Sequence, residues 1–144
     1  MAVIRDFNIK DLGRIVHIAE LSLQEQYSHD LFILIQESKN TVFYVADLHN
    51  TVVGYITGIL SEKDARVLML AVHPFYRRRG IGSELMDSFT NTCLSKGVRR
   101  ITLEVRPSNK VAIEFYKKRG FHPIDIIKDF YTNGEEGIKM MKIF

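Results

Sequence analysis

The chain has 144 residues, of which 46% are hydrophobic and 26% charged, and its 20 basic and 17 acidic side chains leave a formal net charge of +3. This composition predicts one soluble globular domain over 1–144 and argues against disorder, and the charge is too small to imply nucleic-acid binding by itself. A single cysteine, Cys93, excludes an intramolecular disulfide and a multi-cysteine zinc site.

Signals for export, membrane insertion and metal binding are missing from the sequence. The N-terminal MAVIRDFNIKDLGRIV lacks the long apolar centre of a signal peptide, and no stretch approaches the roughly 20 apolar residues of a membrane helix. The five histidines show neither HxxxH nor HExxH spacing. We therefore expect a cytoplasmic protein that binds no metal and no membrane.

In the first half of the chain, hydrophobic periodicity and turn residues predict short strands and helices. They are a strand at 2–6, a helix from Asn8, a helix at 29–37, two strands within 41–60 joined by a turn at His49 and Asn50, and a strand at 65–72. The last of these, ARVLMLAV, is almost continuously apolar, which predicts a strand covered on both faces.

In the second half, glycine, proline and serine mark the element ends. The predicted elements are a helix closed by Gly97, a strand at 100–106, a helix from a Ser108 cap to Arg119, and two strands within 121–144 around an Asn133-Gly134 turn. The resulting order, βααβββαβαββ, predicts a mixed α/β domain. Cys93 falls on the apolar face of the first of these helices, so we expect it to be structural.

The segment 76-YRRRGIGSELM-86 places three arginines and two glycines between a predicted strand and a predicted helix. The first amides of a helix have no intrahelical partner, and with the helix dipole they form an anion site. Glycines at 80 and 82 let the backbone approach an anion closely. Neither the Walker A pattern nor GxGxxG fits, because no GK[ST] run exists and Leu85 stands where the third glycine belongs.

These residues match a known pattern. The run 77-RRRGIG-82 resembles the R/Q-x-x-G-x-G/A signature of the GNAT N-acetyltransferases, and 70-LAVHPFYRRRGIGSELM-86 resembles that family's LxVxPxxRxxGIGxxLL. Downstream, 103-LEVRPSNKVAIEFYKKRGF-121 resembles LEVRxSNxxAxxxYxxxGF of the RimI-like enzymes, which acetylate protein N-termini. The resemblance implies a central mixed sheet that splays between strands 4 and 5, with helices on both faces.

The resemblance also implies acetyl-coenzyme A as co-substrate. Leu70, Ala71 and Val72 would run beside its pantetheine arm, with the Val72 amide facing the thioester carbonyl. Asn109 would contact it near the thiol. The pyrophosphate would lie on the loop formed by Arg77, Arg78, Arg79, Gly80, Ile81, Gly82 and Ser83.

Glu104 and Tyr116 are the candidate catalytic residues, and each has a structural alternative. A carboxylate inside a central strand needs pairing, so Glu104 could form an ion pair with Arg106 or with a base on a neighbouring strand. Tyr116 shares a helix face with Ala112, as a core residue would. The resemblance instead implies a general base at Glu104 and, at Tyr116, the acid that protonates the departing thiolate. We favour the catalytic reading of both.

The acceptor site is less well marked. RimI-like proteins often carry a Tyr-Tyr pair where this chain has Phe130 and Tyr131, so we predict that Tyr131, together with Tyr27, lines it. An α-amino group, with a pKa of about 7.7–8.0 against about 10.4 for lysine, suits a single carboxylate base better. The expected acceptor is thus a protein or peptide N-terminus, ribosomal proteins included, and the enzyme would act as a monomer or homodimer.

Other acceptors and one other class of function stay open at this point. A small-molecule amine or a lysine side chain is the alternative acceptor. A non-catalytic nucleic-acid-binding module using Arg99, Arg100 and the arginines at 77–79 is less favoured, because no RNP-like aromatic motif accompanies them. No specific nucleic-acid partner is therefore expected.

Overall fold

The structure is a computed structural model that describes residues 1–23 and 28–144. Its elements follow the predicted order βααβββαβαββ. They are β1 (Val3–Asp6), α1 (Leu12–Ser22), α2 (His29–Glu37), β2 (Thr41–Leu48), β3 (Thr51–Ser61), β4 (Asp64–Val72), α3 (Ile81–Ser95), β5 (Arg100–Val105), α4 (Lys110–Lys118), β6 (His122–Ile127) and β7 (Gly137–Ile143). None of the helices in these two ranges is long and apolar enough to cross a membrane.

The strands form one mixed sheet in the order β1-β2-β3-β4-β5-β7-β6. Neighbouring strands are antiparallel except β4 and β5, which are parallel. These two pair only at their first residues, up to Arg66 opposite Thr102. Beyond that pair the strands separate and open a cleft between 67–72 and 103–105. The splay between strands 4 and 5 is confirmed.

A β-bulge divides β4 into two halves. Across the β3–β4 pair Thr57 lies opposite Met69 and Gly58 opposite Val67, so Leu68 has no counterpart. The bulge changes which face each side chain joins: Val67 belongs to the core under α3, and Met69 to the core under α1 and α2. The prediction that both faces are covered throughout is wrong, because Arg66 and Leu68 are exposed on the half that α1 and α2 leave bare.

Helices pack on both faces of the sheet, as expected. One core contains the buried face of α3 together with Tyr116 of α4, and the other contains the buried faces of α1 and α2. Cys93 lies within the first core, and burial raises the pKa of its thiol to about 12. Such a thiol carries almost no thiolate at neutral pH, which agrees with a structural role.

The two predicted hairpin turns have different outcomes. His49 and Asn50 both adopt a positive φ, of 52° and 69°, and join β2 to β3 as predicted. The two strands predicted around Asn133-Gly134 are present and pair antiparallel, and a turn lies there, with Gly134 at φ 85° and its N–H donating to the Tyr131 carbonyl. This turn is part of a connection over residues 128–136, which is longer than a two-residue hairpin loop. The polar contacts that hold this longer connection are described below.

Gly58 allows α3 to lie directly on β3. A Cβ there would lie 2.5 Å from ring atoms of the fully buried Phe89 and 2.7 Å from the Arg66 carbonyl oxygen. We therefore expect Gly58→Ala to lower the free energy of unfolding by about 1–3 kcal/mol, measured by urea denaturation. Gly13→Ala is the control, since nothing lies within 4 Å of its Cβ position in α1, and it should be neutral or raise stability by up to about 1 kcal/mol. Equal stabilities of the two variants would contradict this packing.

Candidate active site

Most of the predicted site residues lie on the elements that border or follow the cleft between β4 and β5. β4 leads through residues 73–80 into α3, and β5 leads through 106–109 into α4. The two helix starts therefore lie beyond the ends at which the strands separate. An opening of this kind at the carboxyl ends of parallel strands is where α/β proteins bind ligands.

The cleft wall on β4 presents backbone N–H groups. The His73 N–H donates to the Val53 carbonyl oxygen at 2.8 Å, so the N–H group of residue 73 points towards β3. Because peptide groups alternate along a strand, the N–H groups of Val72 and Leu70 point the other way, towards the opening. The predicted contact between the Val72 amide and a thioester carbonyl requires the N–H to point in this direction. The Val72 carbonyl accepts from Ser22 Oγ at 3.1 Å and Arg77 Nε at 3.3 Å.

The loop before α3 has the features of an anion site. Gly80 caps the helix with φ 80°, a left-handed conformation that favours glycine. Glu84 N–H donates to the Gly80 carbonyl at 3.0 Å, so the amides of residues 81–83 come before the first intrahelical bond. Arg77, Arg78 and Arg79 are exposed beside them. Free amides, the helix dipole and three cations are features that suit a diphosphate.

His73 anchors this loop, and sequence reasoning did not identify it. Its ring is buried, and Nδ1 accepts the Phe75 N–H at 3.1 Å at the start of the turn Pro74–Tyr76. Burial lowers the pKa of His73, and the positive charges of Arg14, His17 and Arg77 lower it further. Since a protonated Nδ1 could not accept a hydrogen bond, the neutral ring is the form that fits this contact.

Glu104 lies on β5 just past the last β4–β5 pair. Arg66 of β4 contacts its Oε1 through Nη2 at 2.8 Å and Nε at 2.9 Å. The Glu104 side chain is 9% exposed and that of Arg66 47%. The ion pair considered from the sequence therefore exists, with the base on a neighbouring strand. Both contacts use Oε1, which leaves Oε2 as the oxygen able to take a proton from an acceptor.

Tyr116 lies in the core-facing side of α4, where its ring meets the edges of Phe115 and Phe121. Only 9% of the residue is exposed. Burial raises the pKa of the Tyr116 phenol well above its usual value, and the nearby Tyr131 phenol raises it further. The group is therefore held in its protonated form, which is the form that can donate a proton.

The start of α4 differs from the prediction by one residue. Asn109, and not Ser108, caps the helix: its Oδ1 accepts the Ala112 N–H at 3.2 Å, and α4 begins at Lys110. Ser108 is instead bonded to Glu135, with its hydroxyl at 2.8 Å from Oε2. With its oxygen used by the helix, Asn109 keeps its NH2 group as the part that could contact a cofactor.

Of the two residues predicted to line the acceptor site, the structure describes only Tyr131. Tyr131 lies in the β6–β7 connection, near Tyr116 and with the Arg106 guanidinium carbon 3.9 Å from its ring centroid. Tyr27 lies outside the described residues. The sequence offers Arg106 as a possible ion partner of Glu104 and does not single out Arg66. In the structure Arg66 pairs with Glu104, and Arg106 lies against Tyr131.

The chain is similar to known proteins in both sequence and structure. The sequence model of the acetyltransferase (GNAT) family matches residues 12–121. The chain is 31% identical over 150 residues to an N-alpha-acetyltransferase of Sulfurisphaera tokodaii, covering 95% of this chain and 90% of that protein. It is 31% identical over 141 residues to a putative ribosomal protein bS18-alanine N-acetyltransferase of Bacillus subtilis, covering 96% and 93%. The crystal structure of Ard1 from Thermoplasma volcanium is similar with a TM-score of 0.94 and 35% identity, covering 99% of this chain and 97% of that one.

Proposed function

Because the chain belongs to the GNAT family of acetyltransferases, we propose that it acetylates the α-amino group of protein or peptide N-termini. That it is an N-acetyltransferase, with acetyl-coenzyme A as the donor, follows from the family itself. The acceptor is the part that we propose. It is supported by the similarity to an N-alpha-acetyltransferase along 95% of the chain.

The described residues fit the donor. Its pyrophosphate would be held by the free amides of 81–83 and the exposed arginines of the preceding loop, and its pantetheine arm would lie along Leu70–Val72. The thioester supplies an activated acetyl group. Asn109 would donate from its amide nitrogen near the sulfur, because its oxygen is bonded to α4.

Three groups of the chain would carry the proton and charge movements. Glu104 would take the proton of the acceptor amine through Oε2, and the Val72 N–H would donate to the carbonyl oxygen on which negative charge develops. Tyr116, kept protonated by burial, would give its proton to the departing sulfur. The base would come from β5, the oxyanion donor from β4 and the acid from α4, and β4 and β5 are the strands that separate to form the cleft.

The acceptor class is tested with three kinds of amine in a coenzyme A release assay. Peptides with a free α-amine and no lysine should turn over, while the same peptides with an acetylated N-terminus and an added lysine should not. Small polyamines form the third set. The reason is that an α-amine, with a pKa of about 7.7–8.0, yields its proton to a carboxylate far more readily than lysine at about 10.4. Turnover confined to the small amines or to the lysine peptides would contradict the proposal.

A further inference from the structure

Arg106 is a buried cation that has no part in the proton transfers described above. It directly follows β5, and its side chain is only 8% exposed. A guanidinium is costly to bury unless charges and hydrogen bonds compensate it, and removing one partner of such a pair is strongly destabilising. Its contacts therefore indicate which part of the molecule depends on it.

Three of these contacts lie within residues 131–135 of the β6–β7 connection, which we name the Tyr131 turn. Arg106 Nη1 donates to Asn133 Oδ1 at 3.1 Å and to Glu135 Oε1 at 3.0 Å. The guanidinium carbon lies 3.9 Å from the ring centroid of Tyr131, a close cation–π contact. One side chain thus holds the beginning, middle and end of the turn.

Glu135 extends this connection to the start of α4. Its Oε2 accepts from the Ser108 hydroxyl at 2.8 Å and from the Ser108 N–H at 3.3 Å. Hydrogen bonds from Ser108 and then from Arg106 lower the pKa of the Glu135 carboxyl, so it is ionised at neutral pH. The carboxylate therefore ties the turn to two residues, Arg106 and Ser108, of the segment that joins β5 to α4.

The turn has internal bonds that set its shape. Tyr131 N–H donates to the Glu135 carbonyl at 3.1 Å, and Gly134 N–H donates to the Tyr131 carbonyl at 2.9 Å. Asn133 Oδ1 also accepts the Glu135 N–H, at 3.0 Å. The Tyr131 and Phe130 rings are perpendicular, with centroids 4.8 Å apart. Tyr131 therefore contacts both an aromatic ring and a cation.

We propose that Arg106, acting with Glu135, is a positioning residue that fixes the Tyr131 turn as a wall of the acceptor half of the cleft. This inference rests on the proposed function, because it takes the acceptor to lie against Tyr131. Arg106 touches neither donor nor acceptor. It acts by setting where the Tyr131 ring stands relative to Tyr116 and the opening.

Two substitutions test the proposal, with two readouts. Arg106→Lys keeps the charge and loses the planar fork, and Glu135→Gln removes the charge that Arg106 pairs with. Each variant loses a hydrogen bond to a charged group, which should raise KM for an N-terminal peptide about tenfold above that of the wild type. KM for acetyl-coenzyme A should stay within about twofold of the wild-type value. Amide hydrogen exchange should accelerate within 128–136 and remain unchanged in α3. Arg100→Lys is the matched control, since Arg100 lies at the start of β5, the strand that Arg106 directly follows, but pairs with the exposed Asp64.

The two readouts separate the failure of this proposal from failure of the proposed function. If no peptide is a substrate, the KM comparison is made with whichever amine turns over, and hydrogen exchange tests the turn independently of any acceptor. If Arg106→Lys does not fold, Glu135→Gln keeps the test available, because that side chain lies in the connection and is 24% exposed. Unchanged exchange in 128–136, or equal rises in both KM values, would overturn the proposal.

Discussion

Glu104→Gln is expected to lower kcat/KM for an N-terminal peptide by about 10²- to 10³-fold near pH 7, because it removes the group that would accept the amine proton. The amide has the same length, and its oxygen can still accept from Arg66, so the fold should persist. The defect should shrink as pH rises, since an α-amine with a pKa of about 7.7–8.0 then loses its proton without help. Steady-state coenzyme A release between pH 6.5 and 9 measures both effects.

The competing reading of Glu104 as a purely structural ion partner of Arg66 predicts a different result. In that case Glu104→Gln would change thermal stability and leave turnover within about threefold of the wild type, well short of a lost general base. Glu37→Gln, at the exposed end of α2, is the control for the same chemical change away from the cleft. A wild-type rate in Glu104→Gln at pH 7 would remove Glu104 from the mechanism.

Local patterns explain why much of the fold was predictable. The turn at His49 and Asn50 and the glycine cap before α3 both depend on residues that tolerate positive φ, and these are visible in a short stretch of sequence. The element order follows from hydrophobic periodicity. The cofactor loop is likewise local, because strand, glycines and helix start lie within one run from Leu70 to Met86.

Register between distant strands could not be predicted. The partner of Glu104 is Arg66, 38 residues earlier, and it is in reach because parallel pairing of β4 and β5 stops at Arg66 opposite Thr102. Alternation gives the face of each side chain but not the alignment of two strands. The bulge at Leu68 is equally hidden, since a nearly continuous apolar run looks the same whether or not one residue is left unpaired.

The β6–β7 connection combines a local turn signal with a long-range contact. Asn-Gly is a strong hairpin signal, yet Asn133 and Glu135 use their side chains to bind Arg106, which lies before α4. Ser108, a good N-cap by type, is bonded to Glu135, and Asn109 caps α4 in its place. Glu135 takes part in both departures, since it accepts from Arg106 and from Ser108, and the sequence does not reveal that these distant residues meet.

Tyr116→Phe is expected to lower kcat by about 10²- to 10³-fold, because it removes the proton donor for the departing sulfur while leaving the ring in place. The ring packs edge-on against Phe115 and Phe121, and these contacts do not involve the hydroxyl. Thermal stability should therefore change little. Tyr44→Phe is the matched control: its hydroxyl bonds Thr92 Oγ1 at 2.6 Å between β2 and α3, and its loss should leave kcat unaltered.

The pH dependence provides a second check on the same residue. A proton donor fails when it ionises, so activity that depends on Tyr116 is lost as pH rises through its pKa. Burial and the Tyr131 phenol raise that pKa above the ordinary value of about 10, which moves the loss to still higher pH. Wild-type kcat should therefore stay level from about pH 8 to pH 10. A fall in kcat centred below pH 9 that Tyr116→Phe abolishes would contradict a donor held protonated by its surroundings.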